Sequence, residues 1–202
     1  MALHEILKDI FTWSWYSEPH GYDFNGHLVR SGDGNLAIDP VPMSDEVLEA
    51  ITALGVARIL ITNRNHTRAA NRLRAATSAP MAIHERDAGY AEAQGALIDG
   101  ALEPGARIGP LDVVAVPGKS PGEVAFHWPV RRILIIGDAV IGNPPGHLGL
   151  LREAVMDDPV RLRQSVRGLL DLDFDTLLLG DGVSLLHAAK LEMKTLVDGF
   201  PR

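Results

Sequence analysis

ILITNRNHTRAA, residues 59–70, is an apolar strand ending in a threonine, followed by a polar turn that opens a helix. A short Ile/Leu run giving way to asparagines, arginines and a histidine marks a strand-to-helix junction that presents polar side chains. Upstream, FNGHLVRSGDGNLAIDP holds two strands joined by Ser31-Gly32-Asp33-Gly34, and Pro40 and Pro42 end that unit. Ser44 is an N-cap, Asp45 and Glu46 follow it, apolar residues recur at 47, 48, 51 and 54, and Gly55 closes the helix. A strand over 57–61 leads into the junction, and the spacing predicts the next helix over 67–76.

Working outward, 81–84 is a short strand, and 85–110 holds a short helix and two brief strands broken by Gly100 and Gly105. Strands are predicted over 111–116, 123–128 and 133–136. Asp157-Asp158-Pro159 precedes a helix over 160–170 with Leu162, Val166, Leu169 and Leu170 on one face. A strand over 176–179 and an amphipathic helix over 184–198 complete the pattern. Trp13, Trp15, Tyr16 and Tyr22 concentrate the aromatic surface near the N-terminus. They read as a packed edge of the core, with an aromatic wall beside a ligand as the alternative. Strands and helices, then strands and helices again, suit an α+β fold: an αββα four-layer sandwich forming a single domain over 1–202.

Composition narrows the function. With 202 residues, 46% apolar and 22% charged, the chain has the make-up of an ordinary globule. A net charge of −7 argues against nucleic acid as a partner, because phosphate binding needs a basic face. Arg64, Arg68, Arg72 and Arg74 form a local basic run, read as a solvated or anion-facing stripe. Cysteine is absent, which excludes disulfides, thiolate ligands and a cysteine nucleophile. No stretch reads as a signal peptide or a membrane span, so the expectation is a cytoplasmic protein with no membrane partner. The aromatic N-terminal segment is compatible with a homo-oligomer.

The junction resembles the T-H-x-H-x-D-H motif of the metallo-β-lactamase superfamily, with Thr62 in its place. Three further segments extend the resemblance over most of the chain. Asp39 of LAIDP sits where the family has the aspartate ending its second strand. VPGKSPGEVAFHWPVRRILIIGDAVIG is similar to V-P-G-H-S-P-G…G-D-A, and LLLGDG at 177–182 is similar to the final G-H-G. The resemblance implies the family's sandwich, and a hydrolytic ancestry acting on an ester, thioester, lactam or phosphodiester. It also maps the metal-ligand positions onto Asn63, Asn65, Thr67, Arg68, Lys119, Asp138 and Asp181. Only Asp138, matching the metal-bridging aspartate, keeps its ligand type. A carboxamide is a feeble substitute for imidazole, and a guanidinium or ammonium is no ligand.

Two function classes follow. The first is a divergent member without the di-zinc site, a non-catalytic or small-anion-binding module. There Lys119 and Arg68 would replace the metals electrostatically and offset Asp138 and Asp181; no cofactor is expected, and the partner is a small molecule or anion. The second is a hydrolase using one non-zinc metal or none. Oxygen ligands from Asn65, Asp138 and Asp181 suit magnesium, calcium or manganese. Without metal, Lys119 would act as base or nucleophile with Asp138 or Asp181, and His66 or His20 would shuttle protons. His147, in NPPGHLG just after Asp138, is the further histidine placed to touch a ligand; His27, His84, His127 and His187 read as structural or exposed. No P-loop and no Gly-x-Ser-x-Gly elbow occurs.

Overall fold

A computed structural model describes residues 2–201. The chain divides after Leu102 into two compact units. The first contains β1 (His4–Leu7), β2 (Ile10–Ser17), β3 (Tyr22–Val29), β4 (Leu36–Ile38), α1 (Asp45–Leu54), β5 (Arg58–Leu60), α2 (Ala70–Thr77), β6 (Met81–Ile83), α3 (Glu85–Ala93) and β7 (Gly100–Ala101). Its sheet runs β1 to β7 in sequence order, antiparallel up to β4 and parallel from there on. The change of direction follows from the connections. Tight turns join the early strands, and helices carry the chain between the parallel ones.

Side chains alternate along these strands as a period of two requires. Leu28, Ala37, Ile59, Ile61, Met81 and Ile83 pack with Val47 and Ile51 of α1, Leu73 of α2 and Ala91 of α3. Ser44 caps α1 by accepting from Val47 N–H at 3.4 Å. The aromatic N-terminal segment, read from sequence as a core edge or an aromatic wall, contributes to two full strands, β2 and β3. Trp13 is fully buried. Its indole N–H donates to the Val41 carbonyl at 3.1 Å, and its ring lies over Gly26, its cross-strand partner. A Cβ at Gly26 would stand 2.4 Å from Trp13 Cζ2. Gly26→Ala is therefore expected to cost about 1–3 kcal/mol by overpacking a rigid ring, with a loss of near-UV circular dichroism from Trp13. A urea midpoint equal to wild type would show that the ring yields freely.

The basic run does not stay a stripe. Arg74 grips Asp99 through Nε and Nη2 at 2.8 and 2.6 Å, and this pairing holds the Asp99 carboxyl well below its ordinary range. Arg72 reaches the Met43 carbonyl and Asp45. Arg64 lies 4.5 Å over the Tyr90 ring and Arg68 3.8 Å over that of Phe24. Each arginine is used to tie α2 or the loop before it to its surroundings.

The second unit contains β8 (Arg107–Ile108), β9 (Leu111–Ala115), β10 (Val124–Trp128), β11 (Ile133–Ile136), α4 (Pro159–Leu169), β12 (Thr176–Leu179) and α5 (Ala189–Asp198). Its sheet order is β12-β11-β10-β9-β8, with β11 and β12 parallel and the rest antiparallel. Leu162, Val166 and Leu169 of α4 and Ala189 and Met193 of α5 pack with Ala125, Leu134, Ile136, Leu177 and Leu179. Asp158 caps α4 by accepting from Arg161 N–H at 2.8 Å, and Pro159 occupies its first turn. With two sheets and five helices among the described residues, the α+β class expected from the sequence is the one observed. Among those residues no helix is long and apolar enough to cross a membrane.

Two helices begin later than their periodicity predicts, and in both cases local hydrogen bonds take the early residues. α2 starts at Ala70 rather than 67 because Asn63 Oδ1 accepts from Asn65 N–H at 2.9 Å while Ala69 N–H donates to the Pro40 carbonyl at 3.0 Å. α5 starts at Ala189 rather than 184 because Leu185 pairs with Leu177 in both directions, at 2.7 and 2.9 Å, and Ser184 Oγ accepts from Leu179 N–H at 3.0 Å.

Candidate functional site

The polar residues singled out from the sequence fall into two groups, one in each unit. In the first unit, β4 and β5 are parallel neighbours, and Asp39 and Thr62 emerge from their C-terminal ends. Asp39 adopts φ +48°, a left-handed turn that Asp tolerates better than most residues. That turn aims its carboxylate back across the end of β5. Thr62 N–H donates to Oδ1 at 2.8 Å, and Thr62 Oγ1 donates to Oδ2 at 2.6 Å. His66 Nδ1 stands 2.7 Å from the same Oδ2. Asp39, Thr62 and His66 are each at most 1% exposed. An acceptor carboxylate on Nδ1 selects the tautomer that carries its proton there, leaving Nε2 as the basic nitrogen.

The rest of the junction is organised around this hub. Asn63 is fully buried and uses its side-chain oxygen to hold the turn, which puts Asn65 on the exposed outside. Thr67 is half-buried, and its carbonyl accepts from Ala70 N–H at 2.7 Å. Arg64 N–H donates to Asp87 Oδ2 at 3.0 Å. Arg68 covers Phe24, at the centre of a ring cluster in which Trp15, His20 and Tyr22 each have centroids within 5.9 Å of Phe24's. His20 is therefore part of an aromatic cluster, with Nδ1 2.8 Å from Ser17 Oγ.

In the second unit, β11 and β12 lie in parallel register with Ile136 opposite Leu179. Asp138 and Asp181 each follow two residues later, so both carboxylates stand side by side at one end of the sheet. One oxygen of each lies within 4.8 Å of the other, and both residues are at most 4% exposed. The two loops are locked together by glycines. Gly142 N–H donates to the Asp181 carbonyl at 3.0 Å, and Val183 N–H donates to the Gly142 carbonyl at 2.9 Å. A Cβ on Gly182 would meet Gly142 O at 2.4 Å.

Lys119 completes this group: its Nζ lies 2.7 Å from Asp138 Oδ2, with side-chain exposures of 9% and 6%. Its loop is pinned to α4. Asp158 N–H donates to the Gly118 carbonyl at 2.8 Å, and a Cβ at Gly118 (φ +142°) would stand 2.3 Å from Leu162 N. The Lys119 Nζ thus stands against one of two neighbouring buried carboxylates, where a positive charge offsets their mutual repulsion. His147, by contrast, sits on an exposed loop with Nδ1 3.8 Å from Glu192 Oε2.

Glu123 was not singled out in the sequence. It is 1% exposed, and its Oε1 accepts from Ala139 N–H at 2.8 Å, fixing the loop that carries Asp138. The signal was a carboxylate opening the otherwise apolar strand EVAFHW directly after PGKSPG. Phe24 and Tyr90, the rings beneath Arg68 and Arg64, left no trace in the sequence pattern.

Comparison with known proteins agrees with this architecture. Hydroxyacylglutathione hydrolases from two strains of Cereibacter sphaeroides are 31% and 30% identical over 130 residues, covering 58% of this chain and 48% of theirs. The chain thus spans about half the length of these curated relatives. TTHA1623, solved in a di-iron-bound form, is 28% identical with a TM-score of 0.68, covering 86% of this chain and 94% of that one. The metallo-β-lactamase from Pontibacter korlensis has a TM-score of 0.79 at 16% identity, covering 98% and 99%, a likeness of fold alone. The sequence model of the metallo-beta-lactamase superfamily matches residues 2–200, and the chain belongs to that superfamily.

Proposed function

We propose that the chain is a non-catalytic, small-anion-binding member of its superfamily, in which lysine has taken the place of metal at the bridging aspartate. The observation that carries this reading is the buried Lys119–Asp138 pair at 2.7 Å. The residues at the ligand positions mapped by the resemblance suit a pair of metal ions poorly. Asn63 spends its oxygen on the turn, Asn65 points outward, and Arg68 and Lys119 are cations. A divalent ion at Asp138 would have to share that carboxylate with an ammonium, at a repulsive separation of a few ångströms. The anion would be received by Lys119, the cation at a former ligand position beside Asp138.

A second reading, a hydrolase, is favoured by the likeness to hydroxyacylglutathione hydrolases and by the buried Asp39–His66 dyad, which has the form of a general base with its orienting carboxylate. One experiment separates them. Protein purified without chelators or a His-tag is assayed for metal content and for turnover of a hydroxyacylglutathione thioester, with Lys119→His alongside. The first reading expects less than about 0.1 metal per chain, no turnover, and no thermal stabilisation by zinc or manganese. Stoichiometric metal in the wild type, or turnover abolished by Asp138→Asn, would overturn it.

A further inference from the structure

Away from these loops, the second unit holds a groove of about 260 Å³ between β9 and α4. Arg161, Gln164, Ser165 and Gly168 line it from the helix, and their spacing puts them on one stripe. Val114, Ala115 and Pro117 face them, with Leu169 at the base. The lining is half polar and half apolar, which calls for a ligand divided the same way.

Arg161 and Gln164 supply the hydrogen-bond donors of the polar half. Neither the Arg161 guanidinium nor the Gln164 carboxamide has a hydrogen bond or ion pair among the described residues. Arg163 on the same helix, in contrast, is taken by Glu153 at 2.6 Å. Ser165 is already committed, its Oγ–H donating to the Pro117 carbonyl at 2.7 Å, so it acts as a fixed wall. The groove is open at Gly168, where a Cβ would meet nothing within 4 Å.

We propose that this groove is a small-molecule site for a short-chain monocarboxylate, set behind the loop that carries Lys119. The guanidinium takes the carboxylate in its two-pronged geometry, and the Gln164 amide donates alongside. The alkyl chain lies over Val114, Ala115 and Pro117. The volume holds about eight waters' worth of ligand, which limits the chain to roughly six carbons. Because Pro117 is both a wall of the groove and the start of the 117–119 loop, occupancy is felt at the backbone of Gly118 and Lys119.

The test is a titration of ¹⁵N-labelled full chain with hexanoate, followed by amide shifts, with hexan-1-ol and hexylamine as controls. Saturable shifts at Gly118, Lys119 and the residues of α4 are expected, with a millimolar-range Kd, about what a ligand of eight heavy atoms reaches. Gly168→Leu should abolish them. Arg161→Met should weaken binding at least tenfold while leaving far-UV circular dichroism unchanged, and neither control should saturate. Absence of saturation by about 20 mM hexanoate, a Gly168→Leu protein that binds as wild type, or equal binding of hexan-1-ol would each overturn the proposal. None of these outcomes bears on the Lys119–Asp138 pair, so this site and the proposed function stand or fall separately.

Discussion

Lys119→Met is expected to lower the free energy of unfolding by about 3–5 kcal/mol near neutral pH, the loss typical of removing one partner from a buried pair. Methionine keeps the length and apolar stem of lysine, so the change isolates the charge. It leaves Asp138 buried with Asp181 within 4.8 Å and takes away the ammonium at 2.7 Å. One of the two carboxylates then holds its proton to higher pH than it does in the wild type. The sign of the pH dependence follows. Above the unfolded aspartate range the folded variant binds more protons than its unfolded chain, so its stability falls as pH rises. The deficit relative to wild type should therefore be largest at pH 7–8 and shrink towards pH 5. Urea denaturation across that range measures it, and Lys119→Met/Asp138→Asn should recover much of the loss. If the single variant unfolds within about 1 kcal/mol of wild type at every pH, the pair is not what holds these loops together.

Asp39→Ala should be nearly as costly, about 3–5 kcal/mol, because the carboxylate serves three buried partners at once: Thr62 N–H, Thr62 Oγ1–H and His66 Nδ1. Alanine also tolerates the φ of +48° less well than aspartate does. Asp39→Asn separates shape from charge. Its oxygen can still accept from Thr62 N–H, but its amide presents donors where Oδ2 accepted. Thr62 Oγ1 answers by rotating its proton away. His66 answers by exchanging tautomers, so that Nδ1 becomes the acceptor and Nε2 carries the proton. The expected cost is about 1–2 kcal/mol, with the exchange visible in the ¹⁵N shifts of the His66 ring. An unchanged tautomer in Asp39→Asn would mean that Asp39 does not set the ring's proton, and the hydrolase reading would lose its oriented base.

Much of the scaffold was legible because its signals are local. Ser44 and Asp158 announce their helices by capping chemistry, and Ser31-Gly32-Asp33-Gly34 announces a hairpin; each needs only its neighbours to act. The late starts of α2 and α5 were not legible. The early residues of those helices have helical periodicity, but their backbone and side-chain groups are taken by Asn63, Pro40, Leu177 and Leu179. One of these partners, Leu179, looks like any other strand residue in the sequence. The N-terminal aromatics were ambiguous for a similar reason. Trp13 is a core residue only because Gly26, thirteen positions on, makes room beneath its ring.

For the candidate site, the sequence by itself determined the inventory: a strand-end Asp39, a junction rich in asparagine and arginine, Lys119 where an imidazole would be, and aspartates after two glycines. Ligand chemistry is a property of residue type, so the expectation that these positions suit a two-metal centre poorly needs only the sequence. Which charges meet was settled only by tertiary structure. Parallel register sets Asp138 beside Asp181, the clamp of α4 on Gly118 brings Lys119 to Asp138, and the left-handed turn at Asp39 joins it to His66. The physical reason is range. Propensity and capping act over a few residues, whereas the energy of a buried charge depends on what lies within a few ångströms, wherever in the chain it originates.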